Sequence, residues 1–217
     1  MIKDFNHEAV EQSTVFMLQN GIYFLQAHRF GDDELSHSFR LFRWAEPKKY
    51  DRILDIGCGV GALASSWHSF DPTLRFTCLN INQMQLDLCL DVFDRVLGDM
   101  HKMPLSDGMF DMATCCFTIG HGRHADVFSE VARVLKPGGV FFLYDMLPED
   151  EDYFKLEDIS YLMLPKSAFK RLAAENGLLL DFYMEPQDNG MLVERVPDVG
   201  NIFKGLNPVI FRFIKEG

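Results

Sequence analysis

Between residues 50 and 147, short apolar runs alternate with stretches whose apolar positions recur every three or four residues. The short runs mark buried strands, and the longer periodic stretches mark helices with one apolar face. This pattern predicts strands over 53–56, 75–81, 95–99, 110–117 and 140–144. It predicts helices over about 62–70, after Asn82, and across Val127, Phe128, Val131, Val134 and Leu135. Asn82 is suited to capping its helix, because its side chain can accept from a first-turn N–H. Lys136-Pro137-Gly138-Gly139 predicts a type II turn, with proline setting one φ and glycine accepting a positive one. Strands alternating with helices are the mark of a parallel sheet.

The flanks follow other rules. Up to residue 50 there is no clear strand; Val15-Phe16-Met17-Leu18 and Ile22-Tyr23-Phe24-Leu25 read as helical turns interrupted at Gly21. The acidic stretch 148–158 reads as loop or short helix, and 167–176 as a helix ending at Gly177. Strands are expected over 178–183 and 209–214. Between them lies a Gly- and Pro-punctuated insertion, 186–208, able to fold over a site. A last strand with no helix after it commonly runs antiparallel to its neighbours. The expected fold class is α/β, with a three-layer, seven-stranded, mostly parallel sheet, an antiparallel last strand and an N-terminal helical segment. The expected organisation is one domain over 1–217. It comprises a helical cap (1–50), a ligand-binding core (51–147) and substrate-side insertions with the last strands (148–217).

Composition narrows the partners. The chain has 217 residues, 47% of them hydrophobic, which is enough for a sizeable core. Its 32 acidic and 21 basic residues leave a net charge of −11, which repels polyphosphate and anionic lipid. Nucleic acid and membrane are therefore not expected partners. No apolar run approaches the roughly 20 residues of a membrane span. Met1-Ile2-Lys3-Asp4-Phe5-Asn6-His7-Glu8 lacks the basic-then-apolar order of a secretory signal. Cys58, Cys78, Cys89, Cys115 and Cys116 include no Cys-x-x-Cys pair, and adjacent Cys115 and Cys116 would point to opposite sheet faces. Neither a disulfide framework nor a metal site is expected, and a reducing, cytoplasmic setting is.

The chemistry gathers at Asp55-Ile56-Gly57-Cys58-Gly59-Val60-Gly61, between the first strand and its helix. Glycines let a ligand approach the backbone closely, and the helix N-terminus offers N–H groups to an anionic group. Asn80, at the end of strand two, stands where such sites place a ribose partner. Its amide can both accept and donate. Together with Gly98-Asp99-Met100 and Glu130-Val131-Ala132-Arg133-Val134-Leu135-Lys136-Pro137-Gly138-Gly139, this segment resembles the class I S-adenosylmethionine-dependent methyltransferases of small molecules, which have a Rossmann-like fold. The resemblance covers residues 53–146. It implies S-adenosylmethionine as cofactor, S-adenosylhomocysteine as product and a small-molecule methyl acceptor. It implies that Gly57, Cys58, Gly59 and Gly61 cradle the methionine end and that Asp55 faces its ammonium. By the same resemblance Asn80, with Ile81 and Gln85, holds the ribose. Asp99 accepts from the adenine amino group and Met100 packs on the ring, with Cys116 and Phe117 completing the wall. Asn80 departs from the acidic residue more usual there.

Methyl transfer needs the acceptor held in line and water excluded, and a hydroxyl or ammonium acceptor needs a base. Strand four leads into Phe117-Thr118-Ile119-Gly120-His121-Gly122-Arg123-His124 at the sheet's ligand edge. His121, between glycines, is the candidate base, with His124 the second choice. Tyr23, Tyr144, Tyr161 and His28 are candidates to reach the acceptor. Carbon methylation of an isoprenoid-type acceptor is a narrower alternative, since aromatic faces can stabilise a carbocation. The carboxylate such relatives carry after strand four is replaced here by Phe117. Two further alternatives are a nicotinamide-dependent oxidoreductase, because Gly57 to Ala62 also satisfies Gly-x-Gly-x-x-Gly/Ala, and a non-catalytic cofactor-binding module. The 50 residues before the first strand, the 136–139 turn and the antiparallel last strand weigh against the oxidoreductase.

Overall fold

The structure, a computed structural model, describes residues 6–19, 33–49, 51–156, 161–185 and 205–217. Tyr23, His28 and residues 186–204 of the expected insertion lie outside the described residues. In chain order the strands are β1 (Arg52–Ile56), β2 (Arg75–Asn80), β3 (Asp94–Leu97), β4 (Phe110–Cys116), β5 (Leu135–Pro148), β6 (Phe154–Leu156), β7 (Tyr161–Met163), β8 (Leu178–Met184) and β9 (Leu206–Lys215). The helices are α1 (His7–Gln19), α2 (Glu34–Ala45), α3 (Ala62–Phe70), α4 (Gln83–Asp87), α5 (His124–Val134) and α6 (Lys166–Glu175). Seven strands form one sheet in the order β3-β2-β1-β4-β5-β9-β8. The pairs from β3 to β5 are parallel, and β9 runs antiparallel to both β5 and β8.

Strand alternation divides the apolar residues between two faces. Leu54, Ile56, Ala113 and Phe141 pack with Phe128 and Val131 of α5 and Phe169 of α6. Ile53, Met112 and Phe142 pack on the opposite face with Leu41 of α2, Trp67 of α3 and Leu86 of α4. The sheet is thus the middle of three layers. Cys115 and Cys116 fall on opposite faces, as their adjacency in an extended strand requires. Asn82 caps α4 through its side-chain oxygen, which accepts from the Gln85 N–H at 3.0 Å.

The turn over 136–139 takes another form. α5 runs directly into β5, and Lys136 to Gly139 bulge out between the pairs Phe110↔Leu135 and Met112↔Val140. Gly138 has a φ of 75°, the positive value foreseen for a glycine there. The bulge is pinned by Lys136, whose Nζ donates to Asp111 Oδ1 at 2.6 Å. The stretch 148–158, expected as loop or short helix, instead contributes β6, which pairs with β7 in a separate antiparallel ribbon. Its acidic residues sit exposed beside β6, and the ribbon depends on the pairing of Phe154 with Met163, which local polarity does not reveal. β5 and β9 also run further than expected, staying paired to Pro148↔Leu206. Pro208 sits inside β9 opposite Met146 of β5 and beyond Ile210, where the described pairing with β8 ends, so that stretch of β9 is an edge among the described residues.

Trp67 couples the layers on its face. It is fully buried and meets Phe42 of α2 edge-on at 5.7 Å and Phe142 of β5 at 6.0 Å. Trp67→Ala should lower unfolding stability by about 3–5 kcal/mol, read from the denaturant midpoint. A change under about 1 kcal/mol would show that α2 and α3 do not depend on this contact.

Candidate active site

β1 continues toward β2 on one side while its other neighbour, β4, continues toward β5. The chain therefore leaves the two central strands in opposite directions, and a crevice opens at their C-terminal ends. A cavity of about 240 Å³ lies there. Of the residues singled out from the sequence, Asp55, Gly57, Cys58, Gly59, Asn80, Ile81, Gln85, Asp99, Met100, Cys116, Phe117 and His121 all line it. Gly61, His124, Tyr144 and Tyr161 do not, and Tyr23 lies outside the described residues.

The turn after β1 is built on left-handed glycines, with φ of 64° at Gly57, 55° at Gly59 and 75° at Gly61. Gly57 has a second reason to be glycine, because a Cβ there would stand 2.1 Å from Thr118 Cγ2. Thr118 Oγ1 in turn donates to the Gly57 carbonyl at 3.1 Å, locking the loop after β4 onto the loop after β1. Gly61 forms the N-cap of α3 with no side-chain cap, so it serves the turn from behind rather than as cavity wall.

Asp55 is the most buried acidic group in the cavity wall. It is 2% exposed; Oδ1 accepts from Thr114 Oγ1 at 2.8 Å, while Oδ2 is buried without a partner. Burial pushes its pKa up to about 7, against the opposing effect of the Thr114 bond. A cation entering the cavity would find an acceptor with nothing else to bond.

Asn80 is already engaged. Its amide donates to Gln85 Oε1 at 2.9 Å and Gly59 O at 3.3 Å, and its oxygen accepts from Asn82 N at 3.3 Å. Gln85 passes the connection on, donating to Thr14 Oγ1 of α1 at 2.9 Å, while Asn82 donates to Glu11 at 3.0 Å. With Val10 lining the cavity, α1 forms part of its roof. Across the cavity, Asp99 Oδ1 accepts from the His101 backbone N–H at 2.9 Å and from His101 Nδ1. His101 Nε2 accepts from Arg123 N at 2.8 Å, which assigns the ring's proton to Nδ1. These His101 bonds hold the Asp99 carboxyl below its usual range, against the effect of its burial.

His121 ends the short 3-10 turn Ile119–His121, and its ring meets Tyr161 edge-on at 5.0 Å. Tyr161 donates to the fully buried carboxylate of Asp145, whose Oδ1 also accepts from Met146 N at 2.8 Å. Burial raises Asp145 to about 7 and drives the Tyr161 phenol well above its normal value. Tyr161 therefore stands behind His121 rather than in the cavity. Tyr144 is fully buried, with its ring against Phe117 at 5.0 Å and His37 at 5.4 Å. His124 faces the core beside Phe169, where burial depresses its pKa to about 4, so it stays neutral near pH 7. These placements correct the assignment of His124, Tyr144 and Tyr161 to direct acceptor contact: each is drawn into packing by the elements beneath it.

Sequence reasoning missed Thr118, His101, Asp145 and the α1 residues. A charged residue closing the apolar run 140–144 was a usable signal for Asp145, since buried carboxylates are rare without a partner. The α1 contacts join positions 71 residues apart and have no local signal.

Residues 54–143 match the family model described as a methyltransferase domain. A sterol 24-C-methyltransferase of Gibberella zeae is 32% identical over 145 residues, covering 53% of this chain and 38% of that relative. The chain thus spans well under half the length of this curated relative. Among solved structures, geranyl diphosphate C-methyltransferase from Streptomyces coelicolor A3(2), complexed with Mg2+, geranyl diphosphate and S-adenosyl-L-homocysteine, superposes with a TM-score of 0.73. It is 16% identical, over 84% of this chain and 80% of its own. The cyclase SpnF reaches 0.76 at 15% identity, over 98% and 96%. Residues 54–143 thus match a methyltransferase domain, and the sheet shares the fold of these solved structures. The match weighs against the nicotinamide oxidoreductase alternative.

Asp55 ties the site to pH. Burial holds its folded pKa at about 7, well above the ordinary carboxylate value of 3.8. Its contribution to stability is therefore complete below the unfolded value, declines as pH rises, and is gone above about pH 7. Asp55→Asn should make the fall in Tm between about pH 5 and pH 8 shallower, with Asp145 supplying what remains. An unchanged slope in thermal melts would mean that Asp55 is not held protonated.

Proposed function

We propose that this chain transfers a methyl group from S-adenosylmethionine to a small-molecule acceptor. The observation that carries the reading is the orphaned, buried Asp55 oxygen in the cavity wall, beside a turn of three left-handed glycines. That pairing fits a ligand whose ammonium meets a carboxylate while its backbone lies against the turn. Asp99, braced by His101, offers a second acceptor across the cavity, suited to an adenine amino group. Asn80 and Gln85 are suited to the ribose edge. Bound there, the cofactor supplies a methyl group on a sulfonium sulfur, open to in-line displacement. The residues of this chain then have three tasks. Asp55 and Asp99 fix the two ends of the cofactor, α1 keeps water out through its bonds to Asn82 and Gln85, and His121 takes a proton from the acceptor.

The finer reading is carbon methylation of an isoprenoid-type acceptor. It is supported by the similarity to a sterol C-methyltransferase and by the apolar side chains of Ile81, Met100 and Phe117 in the cavity wall. Since Phe117 stands where such relatives carry a carboxylate, the proton released from carbon is assigned to His121. Tyr161, anchored on Asp145, holds the imidazole edge-on from behind.

One domain over 1–217, with 1–50 as its cap, is the organisation this reading uses. The described residues contain no helix long and apolar enough to cross a membrane. Five free thiols favour a reducing, cytoplasmic compartment, and the net charge of −11 disfavours nucleic acid as a partner.

Calorimetric titration should show S-adenosylmethionine and S-adenosylhomocysteine binding at one site per chain, more tightly than NADH. Failure of both to bind would overturn the proposal. Asp99→Ala should weaken cofactor binding by about tenfold or more, the worth of one charge-assisted hydrogen bond. His121→Ala should slow methyl transfer to an accepted substrate while leaving cofactor affinity nearly unaltered. Unchanged turnover would remove His121 from proton transfer.

A further inference from the structure

Three cysteines far apart in sequence converge behind the glycine turn. Cys58 belongs to the turn, Cys78 to β2, and Cys89 follows α4; their sulfurs all lie within 4.8 Å of one another. Cys58 Sγ and Cys89 Sγ are 4.0 Å apart. All are free thiols; from the sequence neither a metal site nor a disulfide framework was expected of them, and Cys58 was assigned to the cofactor cradle. As small apolar side chains they would fill this space without further purpose. Two observations go beyond packing.

The first is spacing. Three sulfurs each about 2.3 Å from a central ion are about 4.0 Å apart in a trigonal plane and about 3.8 Å apart along a tetrahedral edge. The Cys58–Cys89 separation already matches the trigonal value, and the third sulfur lies within 4.8 Å of both. The second is access. Cys58 lines the cavity, so the cluster has a route from solvent, and the Arg95 guanidinium, bonded to the Cys89 carbonyl at 2.5 Å, brings a positive charge near the sulfurs.

We propose that Cys58, Cys78 and Cys89 form a three-sulfur site for one soft d10 cation of the Cu(I) class, directly beneath the cofactor turn. Thiolate ligands select such ions over hard ones. Binding breaks S–H bonds and forms metal–sulfur bonds, releasing the thiol protons to solvent with no change of oxidation state. The ion would staple three separate pieces of chain, the glycine turn, β2 and the segment after α4. It is independent of the proposed methyl transfer.

The probe is Cd(II), titrated anaerobically into the fully reduced, full-length protein. An ultraviolet sulfur-to-metal charge-transfer band should rise and saturate at one equivalent, with Tm increasing alongside. Cys78→Ser and Cys89→Ser should each weaken binding at least tenfold, while Cys115→Ala, in the other core cluster, should retain it. Because serine at buried Cys78 can itself unfold the chain, X-ray absorption at the cadmium edge of the wild-type protein supplies a second reading, with three sulfur neighbours expected. A shell of oxygen and nitrogen, only two sulfurs, or full binding in both serine variants would overturn the site. So would a two-hydrogen mass loss with no metal taken up, which would mark the cluster as a disulfide-forming pair.

Discussion

The contact between Gly57 and Thr118 holds the site together. The chain leaves β1 and β4 in opposite directions, and the crevice between them keeps a defined shape only if the two departing loops are fixed to each other. Thr118 does this by packing its methyl into the space a Cβ would need and donating its hydroxyl to the Gly57 carbonyl. From that contact follow the left-handed turn, the start of α3 at the cavity wall and the placing of Phe117 and His121 along one wall of the cavity. Phe117 itself has a positive φ of 54°, a local strain that such a tightly specified crossing sustains.

Two buried carboxylates flank this crossing and are treated differently. Asp145 is bonded by Tyr161 and by the Met146 N–H, so its role is to anchor the ribbon formed by β6 and β7 behind His121. Asp55 likewise has Oδ1 bonded and Oδ2 buried without a partner, as Asp145 has, but of the two only Asp55 lines the cavity. An uncompensated buried acceptor costs stability unless a ligand supplies the missing donor, and it marks the place where binding free energy can be gained. The distinction between a structural carboxylate and one reserved for a ligand rests on which of them faces the cavity, since both leave Oδ2 unpartnered and both are raised by burial.

The similarity to a cyclase as well as to a methyltransferase shows that one fold is shared by proteins of different activity. In the proposed reading the acceptor side is formed by α1, the loop after β4 and the β6–β7 ribbon, each held by contacts with distant parts of the chain. The bonds from Asn82 to Glu11 and from Gln85 to Thr14 tie α1 to the Asn80 side of the cavity as well as to its roof. The proposed cofactor and acceptor regions are therefore joined through α4.

Local order along the chain determined the parallel half of the sheet, the glycine turn, the Asn82 cap and the residues facing the cavity from β1, β2 and β4. Strand period, glycine placement and helix capping act over a few residues, so the sequence carries them openly. Tertiary structure alone decided that the acidic stretch after Pro148 pairs as a ribbon and that Tyr161 leans on Asp145. It likewise decided that His124 turns into the core, and that three thiols meet beneath the turn. Those outcomes depend on which surfaces meet after the sheet has formed, and the energy of a long-range contact leaves no periodic trace in the residues that make it.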